Sequence, residues 1–172
     1  MVPVIETPRL RLRAFQERDL EPQAETLRDA EVMRHLGGRP LAREDVWRRM
    51  LSGLGLWAMY GYGYWVVESR EDGRYLGQVG FADFKRELEP SIEGLPEMGW
   101  ILAPWAQGQG FASEAVAAGL GWAAEELPGR DVVAIIAPDN APSIRVAEKA
   151  GFLEEARTSY HDEPILIFRR SA

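Results

Sequence analysis

Alternation marks the first element of the chain. In Thr7-Pro-Arg-Leu-Arg-Leu-Arg13 apolar and polar side chains change places step by step, the pattern of a half-buried strand. Residues 19–33 turn helical in composition, with Pro22 near the start, where the first-turn N–H groups have no partner to lose. Gly37-Gly38-Arg39-Pro40 interrupts that pattern, and a second helix is expected over 43–51. Three strands follow: 64–68, then a hairpin partner at 76–84 after the turn Glu71-Asp72-Gly73, then 97–102 beyond a polar linker at 85–96. Residues 111–126 carry Ala115, Ala118, Gly119 and Trp122 at i, i+3, i+4 and i+7, one helical stripe that Leu127-Pro128-Gly129 ends. The β-branched run 132–137 reads as a central strand. Asn140 is placed to cap a helix over 141–150 and Gly151 to stop it, after which 152–160 and 165–170 close the sheet as a pair.

This order, a strand, two helices, a three-strand meander, then helix, strand, helix and strands, is that of a mixed α/β domain. A chain of 172 residues has the length of one domain, residues 1–172, and is large enough to bury a real core.

Composition narrows the chemistry. There is no cysteine, and the two histidines, His35 and His161, stand far apart. That removes disulfides, thiolate zinc sites, a cysteine nucleophile and an HExxH site; no metal is expected. The net charge of −7 is carried mainly beyond residue 50, and no basic stripe interleaved with aromatics appears, so no nucleic-acid partner is expected. The uncharged run 50–67 approaches transmembrane length but holds Gly53, Gly55, Gly61 and Gly63 and three tyrosines, so it reads as a glycine-rich loop running into a strand. With no basic start followed by an apolar stretch either, the expectation is a cytoplasmic protein with no membrane partner.

One segment stands out between a strand and a helix: Pro104-Trp-Ala-Gln-Gly-Gln-Gly-Phe-Ala-Ser-Glu-Ala115. Gly108 and Gly110 let a ligand approach the backbone, and the unpaired N–H groups of a helix start suit an anion, a pyrophosphate above all. By composition alone it is equally a tight connection whose glycines only permit the turn. No Gly-Lys-Ser/Thr follows, which excludes a P-loop, and Gly108-x-Gly110-x-x-Ser113 lacks the third glycine of a dinucleotide fingerprint.

Gln107-Gly-Gln-Gly110-Phe-Ala112 satisfies every position of the Gln/Arg-x-x-Gly-x-Gly/Ala signature of the GNAT superfamily. Glu97-Met-Gly-Trp-Ile-Leu-Ala-Pro-Trp105 before it, Asn140-Ala-Pro-Ser143 and Lys149-Ala-Gly-Phe152 after it, and the opening Thr-Pro-Arg-Leu-x-Leu-Arg extend the likeness over nearly the whole chain. The sequence therefore resembles the acetyl-CoA-dependent N-acetyltransferases, especially the branch that acetylates ribosomal-protein N-termini.

That resemblance implies a GNAT-like, mostly antiparallel sheet flanked by helices, with two splayed central strands. It implies acetyl-CoA as cosubstrate and an amine as acceptor, a protein N-terminus or a small molecule, with a non-catalytic acyl-CoA-binding module as the rival. Dimers are common in that family, so a homodimer is among the expected assemblies. The pyrophosphate falls to the backbone of Gln107, Gly108, Gln109, Gly110, Phe111 and Ala112, with Ser113 adjacent, and the pantetheine arm to Trp100, Ile101 and Leu102. Asn140 lies beside the cofactor and Ser143 within reach of its sulfur, although a helix cap and a first-turn hydroxyl explain the same two residues. Arg145 and Lys149 reach either the phosphates or solvent. Many members carry a tyrosine four residues after the Ser143 position; this chain has Ala147, which leaves Ser143 as the nearest acid and Tyr160 as a weaker one. For the base, Glu97 at the entrance of its strand is favoured, directly or through water, over Glu93, Asp83 and His161, against the reading that it simply faces solvent. Residues 53–64 are expected to be a loop that either walls the acceptor site or packs over the sheet edge.

Overall fold

The expected opening strand is short in the structure, a computed structural model that describes residues 1–172. Strand β2 (Leu10–Arg13) buries Leu10 and Leu12 completely, and β1 (Ile5–Glu6) runs antiparallel beside it. The helical stretch breaks at Asp29, whose carboxylate accepts from the Glu31 and Val32 N–H groups; α1 (Leu20–Arg28) ends there and α2 (Ala30–Met33) begins.

Residues 53–60 are helix rather than loop, and only 61–63 connect to the next strand. Helix α3 runs from Arg43 to Tyr60, because Met50, Gly53, Leu54 and Trp57 continue its apolar stripe across the two glycines. Gly53 is buried, and a methyl group there would lie 3.0 Å from the Phe15 ring, so the glycine permits close packing rather than a turn. Gly61, in the left-handed region, ends the helix.

Strands β3 (Tyr64–Ser69), β4 (Tyr75–Ala82), β5 (Glu97–Leu102), β6 (Val132–Ile136), β7 (Leu153–Tyr160) and β8 (Glu163–Arg170) complete one sheet in the order β1-β2-β3-β4-β5-β6-β8-β7. Only β5 and β6 are parallel. One face carries α1, α2 and α3, packed through Leu20, Leu27, Val46 and Met50 onto Val66 and Ile101. The other carries α4 (Phe111–Glu126) and α5 (Ala141–Lys149), packed through Val116, Leu120 and Ala147 onto Val79, Phe81 and Ala134. Trp65 stands at the centre of the aromatic contacts, edge-on to Trp57 at 4.7 Å and to Trp122 at 5.2 Å. No helix is long and apolar enough to cross a membrane.

The feature that matters for function is the seam between β5 and β6. They share a single bridge, Glu97 to Val133, where the Val133 N–H donates to the Pro96 carbonyl at 3.0 Å. Beyond it they pair no further, although β5 continues to Leu102 and β6 to Ile136. The central strands are splayed, as the resemblance implied.

Candidate active site

The turn into α4 gathers free donors. Gly108 (φ +74°) and Gly110 (φ +81°) both take left-handed backbone, and no atom lies within 4 Å of where a Cβ on Gly108 would stand. The first intrahelical bond runs from the Glu114 N–H to the Gly110 carbonyl at 3.1 Å. The N–H groups of Gly108, Gln109, Gly110, Phe111, Ala112 and Ser113 have no acceptor within the protein. Six consecutive unpaired donors at a helix start form a cradle for an anion. Gln107 is the exception among the expected residues: its N–H donates to the Pro104 carbonyl and its side chain to the Leu102 carbonyl, so it braces the loop from below.

Arg9 fastens the cradle from outside. Its Nη1 donates to the Gln109 carbonyl at 2.9 Å, its Nε to Glu114 at 2.6 Å, and its guanidinium lies over the Phe111 ring. The Thr7 hydroxyl donates to the same carboxylate at 2.6 Å. Burial works to raise the Glu114 pKa, but the hydrogen bonds from Thr7 and Arg9 outweigh it and hold this carboxyl below its ordinary value. The contribution of this clasp is therefore complete above the ordinary glutamate pKa, about 4.3, and fades as pH falls through the lowered one. Arg9→Ala should weaken coenzyme A binding about three- to tenfold by calorimetric titration, the modest size reflecting how exposed the arginine is. Unchanged affinity would show that the loop holds its shape without the clasp.

Antiparallel alternation decides which backbone groups line the seam. Because the Ala103 N–H donates to the Leu76 carbonyl and Gln78 stands opposite Ile101, the odd residues of β5 bond to β4 while Met98, Trp100 and Leu102 turn theirs toward β6. Past the bridge, the Trp100 N–H and C=O thus face the splay, ready for an amide-bearing chain. Ile101 presents its backbone to β4 and its side chain to the core beneath α1 and α3, so it shapes the site without bonding across the seam.

Glu97 is buried rather than facing solvent, and both its oxygens accept from Arg86, at 2.7 and 2.9 Å. Burial acts to lower the Arg86 pKa, but Glu97 more than compensates and raises it. The Arg86 guanidinium also lies 5.0 Å from the Tyr160 ring, which brings Tyr160 to the edge of this cluster. The alternatives to Glu97 are otherwise engaged. Asp83 accepts from Lys85 and from the Gly94 N–H, Glu93 lies 3.4 Å from Lys85, and His161 occupies the β7–β8 turn with φ +52°.

On the opposite side of the seam the Asn140 side chain accepts from the Ser143 N–H at 3.2 Å, so the helix-cap role is real. The Ser143 hydroxyl has no protein partner, Ala147 is fully buried in the core, and Arg145 and Lys149 are exposed. Asp139, next to Asn140, accepts from Arg34 at 3.0 Å and stands 3.3 Å from His35. This ties the segment after α2 to the loop that carries Asn140, a long-range contact with no periodic signal in the sequence.

A sheet splayed at one seam, with a donor cradle at the mouth of that seam, is the architecture of an acyl-CoA-using transferase. A family model of the acetyltransferase (GNAT) domain matches residues 9–153. The uncharacterized Bacillus subtilis protein YkkB is 31% identical over 170 residues, spanning 96% of this chain and 94% of its own length. A GnaT-family acetyltransferase from Bordetella pertussis superposes with a TM-score of 0.87 at 28% identity, over 98% of this chain and 99% of that one. RimL, a ribosomal L7/L12 α-N-protein acetyltransferase in complex with coenzyme A, superposes at 0.78 over 98% of both chains; at 18% identity this likeness shows the fold. The chain belongs to the GNAT acetyltransferase family.

Proposed function

We propose that this protein moves the acetyl group of acetyl-CoA directly to a primary amine. The observation that carries the reading is the run of six unpaired N–H groups from Gly108 to Ser113 at the mouth of the β5–β6 splay. A pyrophosphate fits that cradle, and the pantetheine amides fit the free backbone groups of Trp100. The coenzyme A complex of RimL is a fold-level parallel for such an occupant. When bound, acetyl-CoA supplies an already activated thioester, so the protein needs no covalent nucleophile of its own. Asn140 and Ser143 flank the seam on the α5 side, where the Ser143 hydroxyl can donate to the departing sulfur.

Glu97 is the proposed proton acceptor. Each of its oxygens keeps a lone pair beyond the bond to Arg86, which suffices to bond a water. An acceptor already partly neutral near pH 8 asks least of that carboxylate: an α-amine, with a pKa of about 7.7–8.0, rather than a lysine near 10.4. We therefore favour an α-amine, on a peptide N-terminus or a small molecule. Glu97→Gln should cut kcat roughly 10- to 100-fold and leave coenzyme A affinity unchanged, because the cradle lies at the far end of β5. It also strands Arg86, so a lowered Tm is expected alongside. Unaltered kcat on a verified acceptor would reduce Glu97 to a structural ion pair. The function itself is tested by thiol release from acetyl-CoA across an amine panel: release above buffer supports transfer, and binding without release makes this a non-catalytic acyl-CoA-binding module.

A further inference from the structure

Two glycines inside neighbouring strands clear a lane across the sheet. Tyr64 of β3 stands opposite Gly80 of β4, which stands opposite Gly99 of β5. A Cβ on Gly80 would collide with the Gly63 and Tyr64 backbone, and one on Gly99 would lie 2.5 Å from the Tyr64 hydroxyl. The phenol therefore crosses β4 and ends on β5 at Gly99, beside the Trp100 backbone that faces the splay. Glycine weakens a strand interior, and two in register mark a close approach. No protein group hydrogen-bonds to the hydroxyl.

We propose that the Tyr64 hydroxyl is a catalytic group of this site, donating a hydrogen bond from the α1–α3 face to the acyl oxygen as the amine adds. The assignment rests on the acetyl-transfer reading above. In that step the amine lone pair forms the new C–N bond and the carbonyl π pair moves onto oxygen, where the Tyr64 O–H meets it. On collapse the C=O re-forms and the C–S bond breaks, its electron pair leaving with sulfur. The surplus amine proton passes to water held by Glu97, and Tyr64 keeps its own. A neutral donor is what a developing oxyanion needs. Burial, and then the negative charge of Glu97, push the Tyr64 pKa up to about 12; Arg49 of α3 and Arg86 act against them. The hydroxyl accordingly stays protonated at neutral pH. Neither composition nor local pattern reveals this, because Tyr64 reads in sequence as an ordinary strand aromatic.

Hydroxylamine, a small nucleophile, makes a test that does not depend on the natural acceptor: free thiol is measured as acetyl-CoA is consumed. Tyr64→Phe should lower kcat roughly 10- to 100-fold, with coenzyme A affinity within twofold of wild type. Gly99→Ala, which displaces the hydroxyl without removing it, should lower kcat in the same direction. A ring-fluorinated tyrosine at position 64, being more acidic, should bring the alkaline limb of the kcat–pH profile to lower pH; a packing role would leave that limb in place. Wild-type thiol release that Tyr64→Phe retains within threefold overturns this assignment alone. A wild-type protein that binds coenzyme A but releases no thiol with hydroxylamine or the amine panel overturns the parent reading and this assignment with it.

Discussion

Gly110→Val is expected to leave a folded protein that binds coenzyme A at least 100-fold more weakly than wild type. Two effects act together. At φ +81° a β-branched side chain is strained by about 1–3 kcal/mol, so the backbone relaxes away from the geometry that aims the neighbouring N–H groups. The new Cβ would also stand 3.4 Å from Arg9 Nη2, disturbing the arginine that holds the Gln109 carbonyl outward. A hundredfold loss is about 2.7 kcal/mol, within what a misdirected set of donors to a charged group costs. Gly121→Ala is the control: it lies on the same helix, exposed, with nothing within 4 Å of its Cβ position, and should bind coenzyme A like wild type. Calorimetric titration of both variants decides the point. Retained affinity in folded Gly110→Val would remove the loop as the phosphate cradle.

The largest stability effect is expected at Arg13. This buried arginine donates to both oxygens of Asp19, at 2.7 and 2.8 Å, and to Glu68 at 2.7 Å, and all three side chains are almost wholly excluded from water. Asp19 in turn accepts from the Gln16 N–H at 2.8 Å, so the cluster joins β2, β3 and the entry to α1. Arg13→Ala leaves Asp19 buried without its cation, and leaves Glu68 to the more exposed Arg18 at 3.3 Å and Arg11 at 3.8 Å. Breaking such a pair costs about 3–5 kcal/mol, a large part of the roughly 5–15 kcal/mol that holds a domain of this kind together. Urea unfolding should show the midpoint falling with little change in slope, and Tm should drop by about 6 °C or more. A loss under about 1 kcal/mol, the range of exposed pairs, would mean that water reaches the cluster.

The parts of the fold that were legible in sequence are those with local causes. Alternation found the strands, the i, i+3, i+4, i+7 stripe found α4, and Asn140 announced α5 by the chemistry of its side chain. The second half of α3 is not legible in sequence, because Gly53 and Gly55 have the composition of a loop. Gly53 is there to let Phe15 approach, a reason that lies 38 positions away in the chain. The glycine-rich turn into α4 is legible as a motif, yet its division of labour is not. Gln107 spends its groups on Pro104 and Leu102, and the clasp joins Arg9 to Glu114 across 105 positions. Glu97 is legible as a candidate base, but its burial and its ion pair are not, because its partner, Arg86, sits in a linker with no period. Tyr64 required three strands in register before its hydroxyl could be seen to end on β5.

The catalytic poverty suggested by a chain without cysteine becomes specific in this light. The protein offers backbone donors, one carboxylate, a free serine hydroxyl and a free phenol, which is enough for an acyl group that arrives activated. The central claim, direct transfer from thioester to amine, is tested most directly by mass spectrometry of a reaction with acetyl-CoA and a panel of amines, reading the amines and the intact protein together. The expected spectrum shows an α-amine gaining one acetyl group while the protein mass stays unchanged throughout turnover. A protein that accumulates an acetyl group as an intermediate, or a panel left unmodified by protein that binds coenzyme A, would contradict it.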